Sequence, residues 1–134
     1  MHLCRQILVD ELWSTACPAR YRDLDLQMRP RKPPELSLPR WLLHHLIAAR
    51  TGHGDFAAYH RRFKHKNAIL ECSCGQETSP THFTRCRTHA HITRKLRKGM
   101  TLDYFTSQLL GHDCLEKFKE FARLMGCYEN TKMD

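Results

Sequence analysis

Three features of the sequence predict a mainly α-helical fold, a small helical domain with a cysteine-rich knuckle feeding into one of its helices. Apolar residues recur at three- and four-residue spacing, as in Trp41, Leu42, Leu46 and Ala49, in Phe56, Tyr59 and Phe63, and in Leu115, Phe118, Ala122 and Met125. Capping and stopping residues bracket these runs. Between them, Cys72-Ser73-Cys74-Gly75 makes a tight turn preceded only by the short extended run Ala68-Ile69-Leu70.

The N-terminal part is the weakest. A short helix is expected over about residues 7–13. Residues 28–39 read as a linker, because Arg29, Pro30, Arg31, Lys32, Pro33 and Pro34 favour extended backbone. Residues 1–39 are therefore expected to be a weakly structured segment ending in a basic Pro-rich linker, 40–126 a helical module, and 127–134 a tail.

Ser37 is the expected cap of the first firm helix, with Pro39 in its first turn and Gly52 as its stop. Asp55 is the expected cap of a second helix, which ends in Arg61, Arg62, Lys64 and Lys66. Ser79-Pro80 opens a third, expected to carry His82 and Cys86 and to extend toward Lys98. Thr101 caps a shorter helix ending at Gly111. The last starts at a capping-box-like pair, Asp113 and Glu116, and closes at Gly126.

The chain has 134 residues, 41% hydrophobic and 27% charged, enough for one domain with one modest core. Its net charge of +8 is unevenly placed. Residues 29–66 carry +7 and residues 84–99 carry +6 with no acid, and the two blocks flank the cysteine turn. Such blocks suit a polyanion. The start, Met1-His2-Leu3-Cys4 running to Asp10-Glu11, has no leader pattern, and no run approaches the length of a membrane span. An intracellular, nuclear or cytoplasmic location is expected. The seven cysteines are then read as metal ligands or free thiols before disulfides.

The ligand pattern is C-x-C-x7-H-x3-C, formed by Cys72, Cys74, His82 and Cys86. Two close cysteines fit one turn, relieved by Gly75, and residues four apart share a helix face. Four thiolate and imidazole donors suit a structural Zn2+, one per chain, with no open position for chemistry. His89 and His91 are alternative nitrogen ligands should the third helix break early. Cys4, Cys17, Cys114 and Cys127 form no such group and read as free thiols.

Catalytic motifs are missing. There is no phosphate-binding G-x-x-x-x-G-K, no G-x-S-x-G and no H-E-x-x-H. The N-terminal acids Asp10, Glu11, Asp23, Asp25, Glu35 and Asp55 are scattered rather than converging on two Mg2+ ions. No enzymatic activity is expected.

Several strings together resemble a known family. They are Leu38-Pro39-Arg40, the run from Leu46 through Arg50-Thr51-Gly52-His53-Gly54-Asp55-Phe56, Tyr59-His60, Arg62-Phe63, and Cys72 through His82-Phe83 to Cys86. The chain over about residues 18–126 resembles the C-terminal tail of fungal non-LTR (LINE-like) retrotransposon polyproteins, the zinc-knuckle region after the reverse transcriptase and ribonuclease H domains. The resemblance implies that the metal motif helps hold RNA or target DNA. It also implies a remnant or truncated part of such a polyprotein, with the reverse transcriptase/RNase H polyprotein itself as a partner.

The expected function is therefore phosphate-directed binding of RNA or single-stranded DNA. The expected contacts are Arg61, Arg62, Lys64 and Lys66 on one side, and Arg85, Arg87, Arg94, Lys95, Arg97 and Lys98 on the other, with Phe83 stacking on bases. Trp41 and Tyr59 are assigned to the core. The alternatives are a retroelement-derived protein-interaction module of the effector kind, or a fragment without function.

Overall fold

The computed structural model describes residues 2–28, 32–111 and 115–125. The fold is mainly helical, as the sequence predicts. The elements are α1 (His2–Ala16), α2 (Ala19–Asp23), a 3-10 turn (Pro34–Ser37), α3 (Arg40–Thr51), α4 (Ala57–Arg62), α5 (His82–Arg85), a second 3-10 turn (Arg87–His89), α6 (Ala90–Arg97), α7 (Leu102–Leu110) and α8 (Leu115–Met125). Among the described residues the only β-pairing is an isolated antiparallel bridge between Glu71 and Glu77.

The core follows the helical spacing. Leu42, Leu46 and Ala49 of α3 face Phe105, Leu109 and Leu110 of α7 and Phe118, Phe121, Ala122 and Met125 of α8. Trp41 packs against this cluster as expected. Tyr59 does not reach it and sits half-buried beside Phe63, with ring centroids 4.8 Å apart.

Helix ends agree with the sequence at three places, including Gly111 after α7, and differ at three. Gly52 closes α3 with φ +75°, a left-handed conformation that glycine adopts at no steric cost. The Thr101 hydroxyl accepts from the Tyr104 amide at 3.2 Å and caps α7. Ser37, by contrast, donates to the Pro34 carbonyl within its own 3-10 turn, and Pro39 is the residue before α3. Asp55 caps nothing, since Phe56 holds the cap position of α4 and the Asp55 carboxylate turns to His60. The helix expected from Ser79-Pro80 starts only at His82 and ends at Arg85, where Cys86 turns extended at φ −65°, ψ 125°. Asp113 and Gly126 lie outside the described residues.

Within segment 1–39 the described residues form α1 and α2 and make long-range polar contacts, and Arg29, Pro30 and Arg31 of the basic linker lie outside the described residues. Trp13 donates its indole N–H to the Leu26 carbonyl at 2.7 Å. Arg20 donates to the Arg50 and Ala49 carbonyls at 2.7 and 2.9 Å, satisfying orphan acceptors at the end of α3. Glu35, 5% exposed, pairs with Arg50 at 3.1 Å. Arg50 in turn donates to the Leu110 and Gly111 carbonyls at 2.6 and 3.1 Å. Burial pulls the Arg50 guanidinium below its ordinary value, and Glu35 opposes that shift. One guanidinium thus joins the linker, α3 and the end of α7.

Removing one partner of a buried ion pair leaves the other uncompensated, which typically costs about 3–5 kcal/mol. Arg50→Met is accordingly expected to lower the free energy of urea unfolding by about 3 kcal/mol. An unchanged midpoint would show that the network carries no stability.

Candidate metal centre

Residues 70–78 form a small loop closed by backbone bonds. Thr78 donates to Leu70 at 3.0 Å, Cys72 donates to Gln76 at 2.7 Å, and Gly75 donates to Cys72 at 2.9 Å. Gly75 takes φ +90°, the conformation the tight turn requires, with open space beside it. This turn presents Cys72 and Cys74 together. The short α5 supplies His82, and the extended residue after it supplies Cys86. The break at Cys86 removes the shared helix face expected for these two residues, yet both still reach the same point.

The four ligand atoms lie within 4.8 Å of one another and could hold one metal ion. The Cys72 and Cys86 sulfurs are 3.8 Å apart, and the Cys74 sulfur is 3.4 Å from His82 Nε2. A tetrahedral ion with ~2.3 Å metal–sulfur and ~2.0–2.1 Å metal–nitrogen bonds needs edges of roughly 3.8 Å and 3.5–3.6 Å. The donor set therefore fits one ion with little movement. His89 and His91 are not in the group, so His82 is the nitrogen donor among the described residues.

The thiols are unequal. The backbone amide of Cys74 and the surrounding His82, Cys74 and Cys86 hold Cys72 down at about 6, whereas burial pushes Cys86 up. Cys72 thus ionises before Cys86, and the thiolate is the binding form. Cys4 is exposed and Cys17 buried, both free, as expected. Cys114 and Cys127 lie outside the described residues.

Other predicted site residues divide into committed and open groups. Arg61 forms a two-pronged pair with Glu77 on the loop, one bond being 2.9 Å. Arg87 donates to the Cys74 carbonyl at 3.1 Å, and Arg85 pairs with Asp103. Arg62, Lys64, Lys66, Arg94, Lys95 and Lys98 are exposed, and Arg97 is half-buried.

Phe83 is a correction. Its ring meets Phe118 and Phe121 edge-on at 6.3 and 5.7 Å and packs on the core, so it is not a free stacking platform. The helical turn that aims His82 at the loop aims Phe83 inward. Sequence reasoning missed Phe63, 48% exposed with the Arg62 guanidinium 5.5 Å from its ring centroid. Its position in an apolar i, i+3, i+4 pattern disguised it as a core residue.

Cys74→Ser is expected to abolish metal retention and loosen residues 69–91, read by elemental analysis and amide exchange. Acid should also release the ion. Cys72 has its folded value depressed, so its thiolate is favoured at neutral pH and lost as pH falls through about 6. Metal content should therefore drop only below that pH, because the ion competes with the proton. Metal-free protein at neutral pH under reducing conditions would contradict the site.

No helix of the described residues is long and apolar enough to cross a membrane. No protein-family model matches the chain, and neither a curated protein nor a solved structure is found to be similar to it.

Proposed function

We propose that the chain is a zinc-stapled nucleic-acid-binding module without catalytic activity, related to the C-terminal part of non-LTR retrotransposon polyproteins. Zinc is the ion of choice because three thiolates and one imidazole at tetrahedral edge lengths match its borderline-soft preference. Four protein ligands fill its shell and leave no position for a reacting water, so its role is structural.

One observation carries the binding reading. Both basic blocks are pinned to the metal loop, the first by Arg61 on Glu77 and the second by Arg87 on the Cys74 carbonyl. Filling the metal site thus steadies the open cations of each block. Arg62, Lys64, Lys66, Arg94, Lys95, Arg97 and Lys98 are available for phosphates, which give affinity without sequence preference. Phe63 replaces Phe83 as the stacking ring, because it is exposed among cations. Stacking on a π-face is tolerant of base identity and favours single strands.

Each phosphate contact releases condensed counterion, so log K should fall with log salt at about −0.7 per contact on a single strand. Four to six contacts give an expected slope of about −3 to −4 for a mixed-sequence oligonucleotide. Charge reversal at Arg94, Lys95 and Lys98 should flatten that slope for all sequences alike. Phe63→Ala should leave the slope intact and cost about 1–3 kcal/mol of binding. Salt-titrated fluorescence anisotropy reads all three. A slope near zero in the zinc-loaded protein would overturn the reading.

A further inference from the structure

A cleft of about 370 Å³ opens between α5, α6 and the start of α7, with Gln76 of the cysteine loop also in its lining. That volume lies within the range of small-ligand sites, roughly 300–1,000 Å³. Residues three and four apart share a helix face, and α6 lines the cleft with Ala90, Thr93, Arg94 and Arg97. Its opposite face carries Ile92 and Leu96, which pack against the core. The α6 side of the cleft is therefore floored by small side chains, with arginines at 94 and 97 beside them. Arg85 of α5 lines the cleft as well.

Positive charge is uncompensated there. Among the described residues the lining holds three arginines and no carboxylate. Arg97 is half-buried, and among the described residues neither it nor Arg94 forms an ion pair. Withdrawing a cation from water costs free energy unless an anion meets it. Arg85 does have a partner, Asp103, whose side chain is 87% exposed. An ion pair so open to solvent contributes little, so an incoming anion can displace the carboxylate.

We propose that this cleft is a binding site for a phosphomonoester, with Arg85, Arg94 and Arg97 as its contacts. A guanidinium presents a planar fork that matches two phosphate oxygens. A phosphomonoester offers three terminal oxygens and a charge of about −1.5 to −2 at neutral pH. An internal phosphodiester offers two free oxygens and a single negative charge. Three arginines gathered in one cleft therefore favour the monoester. Two sources share this chemistry, the terminal phosphate of a nucleic-acid strand and a small free phosphate. The strand-end form rests on the nucleic-acid-binding reading, whereas the cleft itself does not.

Inorganic phosphate is the suitable probe, titrated into zinc-loaded protein at constant ionic strength and followed by NMR. Millimolar phosphate should shift the Nε–H signals of Arg94 and Arg97 and the amides of residues 85–97 before others. Dimethyl phosphate, a diester, should bind at least tenfold more weakly. Arg97→Gln should weaken phosphate binding by about tenfold or more. Asp103→Asn, which frees Arg85, should tighten it by about two- to fivefold. Anisotropy with a single-stranded oligonucleotide, with and without a terminal phosphate, separates the two sources. Tighter binding of the phosphorylated form, lost in Arg97→Gln, identifies the strand end. Equal binding of both forms, with inorganic phosphate still held in the cleft, identifies a small free phosphate. Phosphate held without any oligonucleotide binding supports the cleft and overturns the nucleic-acid reading alone. Absence of phosphate-induced shifts at millimolar concentration, or binding that neither variant changes, would overturn the cleft whether or not oligonucleotides bind.

Discussion

The Cys3His cluster is the constraint on which the middle of the chain depends. Residues 69–81 have little else to fold around. Their β-pairing is a single bridge, Ile69 is 77% exposed, and no residue of the loop is buried. A loop of this kind buries too little apolar surface to offset its ordering entropy. Four donors converging within 4.8 Å would supply the missing free energy once an ion is bound. The pins from Arg61 and Arg87 have value only if that loop is rigid.

The short α5 couples this loop to the helical core. His82 and the adjoining Cys86 face the cysteine loop, while Phe83 and Thr84 face inward. Phe83 touches α8, and the Thr84 hydroxyl shares a buried 2.6 Å hydrogen bond with Thr106 of α7. One helical turn therefore serves as ligand on one side and core on the other. The Arg50 guanidinium ties segment and helix together through Glu35 and backbone carbonyls. Two polar groups flank an apolar centre built by α3, α7 and α8: the Arg50–Glu35 ion pair and the Cys3His group, which could hold one metal ion.

The apolar centre was legible in the sequence because helical spacing is local. Leu42, Leu46, Phe118 and Ala122 occupy the face their period predicts, and Gly52 and Thr101 end or start helices for stated steric and hydrogen-bonding reasons. The metal ligands were legible for the same reason, since their spacing reflects a turn followed by a helix. What was not legible involves partners far apart in the chain. Arg20, Glu35 and Arg50 look like scattered charges until the fold brings them together. Asp55 and Ser79 look like caps, yet Asp55 finds a better partner in His60, and the helix after Ser79 begins only at His82. Phe83 packs on the core while Phe63 stays 48% exposed, although both are apolar residues at helical spacing.

X-ray absorption at the zinc edge of protein purified under reducing conditions tests the central claim most directly. The account predicts a first shell of three sulfurs near 2.3 Å and one nitrogen near 2.0–2.1 Å, with no bound water. A shell dominated by oxygen and nitrogen, or one with an open solvent position, would contradict a closed Cys72, Cys74, His82, Cys86 centre and the fold that rests on it.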